Sequence, residues 1–269
     1  MSFYSTDNIL RRLGNKNKLI PQIMPHLPDD FDCLISFFYG TGSLENQFLG
    51  RIKQLIANDY DKEVYNVYKV LINQPERLQR VLEAIPYHQC VFDDFKRELP
   101  DDPVRRAAGF LVLSNWSFKG KGDTLRFGNQ DNNKRITLRN LKANYERLVN
   151  NPITTVQFLC CDFRDVVSKI SFKRGCGSCF GYLDPPYFQT GNNYKTPKWT
   201  WQDTCDCFEL MQTCGFRCAM SEFAHPKVIE SAQRRGLNII EIGERQTIGN
   251  RNVEILITNY EEKQRRMFL

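Results

Sequence analysis

The sequence predicts an α/β protein, with a mostly parallel sheet covered by helices on both faces and an insert between about residues 74 and 152. Three observations predict it. Apolar runs of strand length alternate with helical patterns toward both ends of the chain, the first run closes on a glycine turn as a βαβ unit does, and the alternation breaks in the middle segment. The 269 residues are 41% hydrophobic and 25% charged, which excludes a disordered or fibrous chain and sets one large domain, with or without an insert, as the size expectation.

Residues 33–38 (CLISFF) read as a buried strand that ends at Gly40, and after Ser43 the i, i+4 pair Leu44 and Phe48 suggests a helix. Residues 54–57 read as a second strand closing on Asn58 and Asp59. A helix follows, with Val64, Val67, Tyr68 and Leu71 on one face, until Pro75 ends it. In the middle segment a helix is expected over 104–115. Alternation at 124–127 and 135–138 suggests a β-hairpin with a loose tip. Strands resume at 155–161, 181–183, 217–220, 238–242 and 253–258.

Net charge is +6, from 37 Lys and Arg against 31 Asp and Glu, which permits a polyanionic partner without demanding one. Its distribution says more. Between residues 117 and 147 the basic side chains are Lys119, Lys121, Arg126, Lys134, Arg135, Arg139, Lys142 and Arg147, against the acids Asp123, Asp131 and Glu146. A solvated basic face would look like this, but interleaved Trp116, Phe118, Phe127 and Tyr145 favour a nucleic-acid surface, where cations meet phosphates while rings and amides reach bases.

Ten cysteines in a chain whose residues 1–18 hold no apolar stretch suggest a reduced, cytoplasmic protein in which thiols act as small hydrophobes. Residues 107–113, the longest apolar run, are too few to span a bilayer. Cys176 and Cys179 form C-x-x-C, but Cys214 and Cys218 fall on a helix end and a strand and give no second clip, and His26, His88 and His225 are scattered. No metal is expected.

The most specific tetrapeptide is Asp184, Pro185, Pro186, Tyr187, directly after the short strand 181–183. A loop at the carboxyl end of a parallel strand faces the crevice where α/β proteins bind ligands. Two prolines fix the backbone and remove its donors, leaving carbonyls to accept. A carboxylate, a rigid carbonyl and an aromatic plane suit a flat ligand with an exposed amino group.

With these residues in view, the chain resembles the amino-methylating DNA methyltransferases, and among them the Dam-like adenine (D12) group with its D-P-P-Y motif. Other family motifs follow in the expected order: Arg12, Leu13, Gly14, Asn15 and Lys16 are similar to the G-x-K segment, and Phe38 to Gly42 to the F-x-G-x-G loop. Asp59 ends the second strand, and Asp162 and Phe163 form the later D-F pair. Ser36 and Phe37 stand where the family usually has an acid and a proline, and Arg12 stands where it often has an aromatic residue.

The resemblance implies a Rossmann-like class I fold that takes S-adenosylmethionine, with catalytic residues Asp184, Pro185, Pro186 and Tyr187. Cofactor contacts would come from Arg12, Lys16, Phe38, Gly40, Gly42, Asp59, Asp162, Phe163 and Asp184, with Asp59 on the ribose hydroxyls; a helix N-cap is the competing reading of Asp59. Residues 1–74 and 153–269 would form the catalytic domain and 75–152 the target-recognition domain, whose helix and hairpin would meet double-stranded DNA through Asn115, Lys119, Lys121, Arg126, Lys134 and Arg135. The target adenine would be flipped out and stacked on Tyr187, with residues 188–194 as a loop able to close over it. Methylation of cytosine or of RNA by the same loop chemistry is the second reading, and a non-catalytic DNA-binding module the third.

Overall fold

In a computed structural model, residues 7–12, 16–126, 130–170, 172, 177–188, 197–247 and 250–261 are described. Leu13, Gly14, Asn15, Phe127, Cys176 and residues 189–194 lie outside them, as does the side chain of Lys119. The expected sheet is present, in the order β3-β2-β1-β4-β5-β7-β6: β1 (Cys33–Ser36), β2 (Gln54–Asn58), β3 (Thr155–Leu159), β4 (Cys179–Leu183), β5 (Arg217–Phe223), β6 (Asn238–Thr247) and β7 (Asn250–Thr258). The first five run parallel, and β7 lies antiparallel to both β5 and β6.

Burial explains the apolar runs. Every residue of β1 and β2 is buried, as in strands covered on both faces. After the short α1 (Ile20–Ile23), helix α2 (Lys62–Asn73) presents the expected buried face of Val64, Val67, Tyr68 and Leu71. Asp61 caps it by accepting from the Glu63 amide at 2.9 Å. Pro75, expected to end α2, opens α3 (Pro75–Ala84), since a first-turn proline lacks only a donor that a helix start leaves unpaired. Then come α4 (Gln89–Arg97) and α5 (Pro103–Trp116), the latter capped by Asp102.

Two expectations are corrected. Residues 135–138 are not a hairpin strand; they lie within α6 (Gln130–Leu148), and Leu125 bridges Ser117 instead. The helix buries Thr137, Leu141, Asn144 and Leu148, a face with helical spacing whose two polar members hid it from an apolar pattern. Nor does a helix follow Ser43: Leu44 and Phe48 are buried as expected, but Glu45–Gln47 is one 3-10 turn, and the chain turns away at Gly50 with φ +82°. The remaining helices, α7 (Val166–Lys169), α8 (Trp201–Thr213) and α9 (Pro226–Arg234), follow β3, β4 and β5.

One face of the sheet shares a continuous buried cluster with the middle segment, in which Leu34, Leu55, Tyr68 and Tyr182 join Leu78, Phe92, Leu111, Trp116 and Leu141. The other face packs Ile35, Phe37 and Met220 against Phe208, Met211 and Val228. Gly181 in β4 sits at the tightest point there, where an added Cβ would lie 2.6 Å from the Cys218 sulfur and 2.9 Å from the Phe216 ring. Gly181→Ala is therefore expected to destabilise the protein by about 1–3 kcal/mol, the usual cost of overpacking, read as a lower denaturation midpoint with unchanged slope.

Candidate active site

Strand order reverses between β1 and β4, and ligand crevices of open α/β sheets form at such a point. The loops expected to carry the chemistry leave the carboxyl ends of these two strands and of their neighbours. After β1, Gly40 (φ +51°) and Gly42 (φ +64°) hold left-handed conformations that favour glycine. At Gly42 a side chain would also collide with the Tyr39 ring, whereas at Gly40 a Cβ would enter open space.

Asp59, at the end of β2, accepts from the Gly40 amide at 2.7 Å and from the Asp61 amide at 2.9 Å. Burial pushes its carboxyl above the ordinary value, against the pull of the nearby Arg12 guanidinium. The helix cap is thus Asp61, and Asp59 ties the glycine loop to β2. Arg12 itself pairs with Asp61 and lies over the Phe110 ring. Beside them Phe38 and Phe163 meet at 5.3 Å between ring centroids, and Trp199 closes on both. Asp162 is turned toward Arg164, accepting from its amide at 3.0 Å and pairing with its guanidinium.

At the end of β4, Pro185 is buried and Asp184 half-buried. Lys16, a residue 3% exposed, donates its ammonium to Asp184 Oδ1 at 2.6 Å and places it 4.6 Å from the Tyr187 ring centroid. The structure thus brings together two residues 168 positions apart. Burial, with Asp184 beside it, holds the Tyr187 phenol well above its usual pKa, and its hydroxyl donates to Glu254 Oε2 at 2.6 Å.

Sequence reasoning missed the supports of this loop. Glu254 on β7 and Glu222 on β5 are both buried, and Glu222 accepts from the amides of Phe188 at 3.1 Å and Phe223 at 2.8 Å. Glu45 is buried too, and accepts from the Ser36 hydroxyl at 2.6 Å. Asn58 ties three strand ends, donating to the carbonyls of Phe37 and Cys161 and accepting from the Cys161 amide, all at 3.0 Å. A charged or amide residue inside an apolar strand was the available signal for Glu222, Glu254 and Asn58.

The residues expected to meet DNA divide. Asn115 is buried and holds the N-terminal segment, accepting from the Arg11 amide at 2.9 Å and donating to the Ile9 carbonyl at 2.8 Å, so its amide is spent inside the fold. Lys134 donates to the carbonyls of Glu83 and Ile85, closing the end of α3. It also lines a groove of about 460 Å³ with exposed Arg135 and Arg139 and with Lys142. Lys121 is exposed, and half-buried Arg126 lies close enough to Arg11 to lower its pKa after burial has done so. Phe118 projects beside them, 58% exposed.

Comparison with known proteins decides the family. The model of D12 class N6 adenine-specific DNA methyltransferases matches residues 13–248. The chain belongs to that family. Modification methylase StsI of Streptococcus sanguinis is 24% identical over 94% of this chain and 43% of its own length, so the chain spans less than half of that relative. Type II methyltransferase M1.LlaDCHI of Lactococcus lactis is 23% identical over 92% of this chain and 93% of its own. Type II methyltransferase M.MjaIII of Methanocaldococcus jannaschii is 28% identical over 66% and 68%. Among solved structures, the rRNA methyltransferase aviRa of Streptomyces viridochromogenes aligns over 88% of this chain and 80% of its own, with 12% identity and a TM-score of 0.33. Among the described residues no group of His, Cys, Asp and Glu could hold a metal ion, and no helix is long and apolar enough to cross a membrane.

Burial, above all, pushes the Glu222 carboxyl up to about 8 and that of Glu45 to about 7. An acid raised in the folded state holds a proton that the unfolded chain releases near its ordinary value, so its contribution to stability is complete below that value and is lost as pH rises through the folded one. Stability is expected to fall between about pH 4.5 and 8 with a slope of up to about 1.4 kcal/mol per pH unit for each such group. Glu222→Gln should flatten that slope, measured by urea melts across the range.

Proposed function

We propose that this protein transfers a methyl group from S-adenosylmethionine to the exocyclic N6 amine of an adenine in double-stranded DNA. The observation that carries the reading is Asp184, on a proline-stiffened loop at the strand reversal, beside the buried face of Tyr187.

The residues present fit the cofactor. Open space at Gly40 leaves room against the glycine loop, Asp59 offers a carboxylate for ribose hydroxyls, and Phe38, Phe163 and Trp199 offer an apolar wall for an adenine ring. The Asp184 carboxylate faces the crevice, which suits a sulfonium and an ammonium. When bound, the cofactor supplies an activated methyl group. Arg12 and Lys16 would border it from the N-terminal segment, and Asp162 would reach its base edge after loosening from Arg164.

The protein's own task is to prepare a weak nucleophile. The adenine amine has its lone pair delocalised into the ring. Two acceptors, the Asp184 carboxylate and the Pro185 carbonyl, would each take one N–H, let the nitrogen pyramidalise and aim its lone pair for in-line attack. They would also stabilise the positive charge that develops there. The base must first leave the duplex, at a cost of a few kcal/mol, and stacking on Tyr187 at about 1–3 kcal/mol would offset it. Residues 75–152 would serve as the target-recognition part, with Lys119, Lys121, Arg126 and Arg135 toward the phosphates or base edges.

Incubation with labelled S-adenosylmethionine and genomic DNA, followed by mapping of modified bases, tests the reading directly; label in cytosine or RNA would replace it with the second reading. Asp184→Ala is expected to lower single-turnover methyl transfer by at least about a hundredfold to a thousandfold while duplex binding persists. Lys121→Glu with Arg126→Glu should weaken duplex binding and lower the slope of log K against log salt by up to about 2, at about 0.9 for each phosphate that is no longer neutralised. An unchanged salt slope would remove this face from the DNA surface.

A further inference from the structure

Two thiols meet where α8 turns into β5. Cys214 caps the end of the helix, Gly215 turns the chain at φ +76°, and Cys218 is the second residue of the strand. Their sulfurs lie 3.4 Å apart. Cys218 is fully buried against Gly181 of β4, whose missing Cβ leaves room for its sulfur, while Cys214 is half-buried and within reach of a small solute. Asn259, just past β7, holds the turn: it receives the Cys218 amide at 2.6 Å and donates to the carbonyls of Met211 and Phe216 at 2.6 and 2.9 Å. The same two carbonyls lie 3.8 and 3.3 Å from the Cys214 sulfur. The hydrogen bond from Cys218 lowers the Cys214 thiol to about 7 against the effect of burial, and the same contact, together with burial, pushes the Cys218 thiol up. One sulfur thus takes the negative charge and its neighbour keeps the proton.

We propose that Cys214 and Cys218 form a peroxide-reactive dithiol, in which Cys214 is oxidised first and Cys218 closes the disulfide. A thiolate that a small oxidant can reach, in contact with a second thiol, favours that order. The Cys214 thiolate attacks one oxygen of hydrogen peroxide, the O–O bond breaks, and the hydroxide that leaves takes up the proton Cys214 had released. Cys218 then attacks the sulfenic sulfur. The S–S bond forms, the S–O bond breaks, and the second hydroxide leaves as water with the Cys218 proton. The two thiols give up two electrons, the peroxide receives both, and two waters result. Because the sulfurs start in contact, the second step is intramolecular and runs at high effective concentration.

The test treats the reduced whole chain with one equivalent of hydrogen peroxide at about pH 7 until the oxidant is consumed, alkylates the remaining thiols and maps tryptic peptides. Cleavage after Arg217 separates the two cysteines, so a bond between them leaves a linked pair of peptides that dithiothreitol separates. That pair is the expected main product. Thiols at both positions while other cysteines are oxidised, or a bond from either cysteine to a different partner, overturns the proposal.

Dimedone, which traps sulfenic acid, reads the order of events. Cys218→Ala should raise the adduct at Cys214 by more than about tenfold over the wild type, because a thiol in contact outcompetes a dissolved trap. Cys214→Ala should leave Cys218 unlabelled. An adduct that does not grow in Cys218→Ala, or that forms on Cys218, overturns the two roles. Thermal melts check each variant, Cys218→Ser replaces Cys218→Ala where that variant does not fold, and the wild-type map decides bond formation without any variant. Neither step draws on methyl transfer, so the outcome is separate from the proposed function.

Discussion

The ion pair between Lys16 and Asp184 joins the N-terminal segment to the loop that leaves the central strand. On one side stands a loop fixed by prolines at the end of β4. On the other runs the N-terminal segment, whose described residues reach the glycine loop, α2, α5, α6 and the crevice. Asn8 donates to the Ser43 hydroxyl at 2.7 Å, beside the glycine loop. The Arg11 amide is held by Ser114 and Asn115 of α5, and Ser114 donates back to the Arg11 carbonyl, so side chains of a helix satisfy the backbone as a neighbouring strand would. Asn140 and Asn144 of α6 do the same for Asn8 and Asp7. Arg12 reaches the cap of α2, and Lys16 ends in the crevice.

This arrangement explains which parts are legible in the sequence. Strands β1, β2, β4 and β5 are readable because burial on both faces demands continuous apolar runs. The Asp184 loop is readable because two prolines after such a run have few other uses. The supports are not, since each depends on a partner far away in the chain. Asn115 looks like a base-reading amide in a basic stretch until the Ile9 and Arg11 backbone is seen beside it. Part of helix α6 reads as hairpin because its buried face includes Thr137, which donates to the Asn133 carbonyl, and Asn144, which donates to the Asp7 carbonyl. Glu45 lies in a stretch that reads as an amphipathic helix, and only the 3-10 turn aims it back at Ser36.

The modest net charge of +6 conceals a separation of sign. Carboxyl groups gather in the crevice, Asp59, Asp184, Glu45, Glu222 and Glu254, with burial holding a proton on Glu45 and Glu222 up to about pH 7 and 8. Cations gather on the middle segment, at Lys121 and Arg126 near the exposed Phe118 and along α6 at Lys134, Arg135, Arg139 and Lys142. A polyanion would be drawn to the second surface and kept from the first, except where a single base is extruded from it.

The antiparallel strand completes the site in a way no parallel strand could. Because β7 runs against β5, its early residues lie at the carboxyl edge of the sheet, and Glu254 falls opposite Phe223. From there it receives the Tyr187 hydroxyl, while Phe223 meets the Tyr187 ring edge-on at 4.6 Å. Glu222, next to Phe223, receives the amide of the residue after Tyr187. The Tyr187 ring is therefore fixed at its hydroxyl, along its edge and through the following peptide, by residues of two paired strands. A stacking platform on a free loop would have to be ordered at the moment of binding. Here folding has already met that cost.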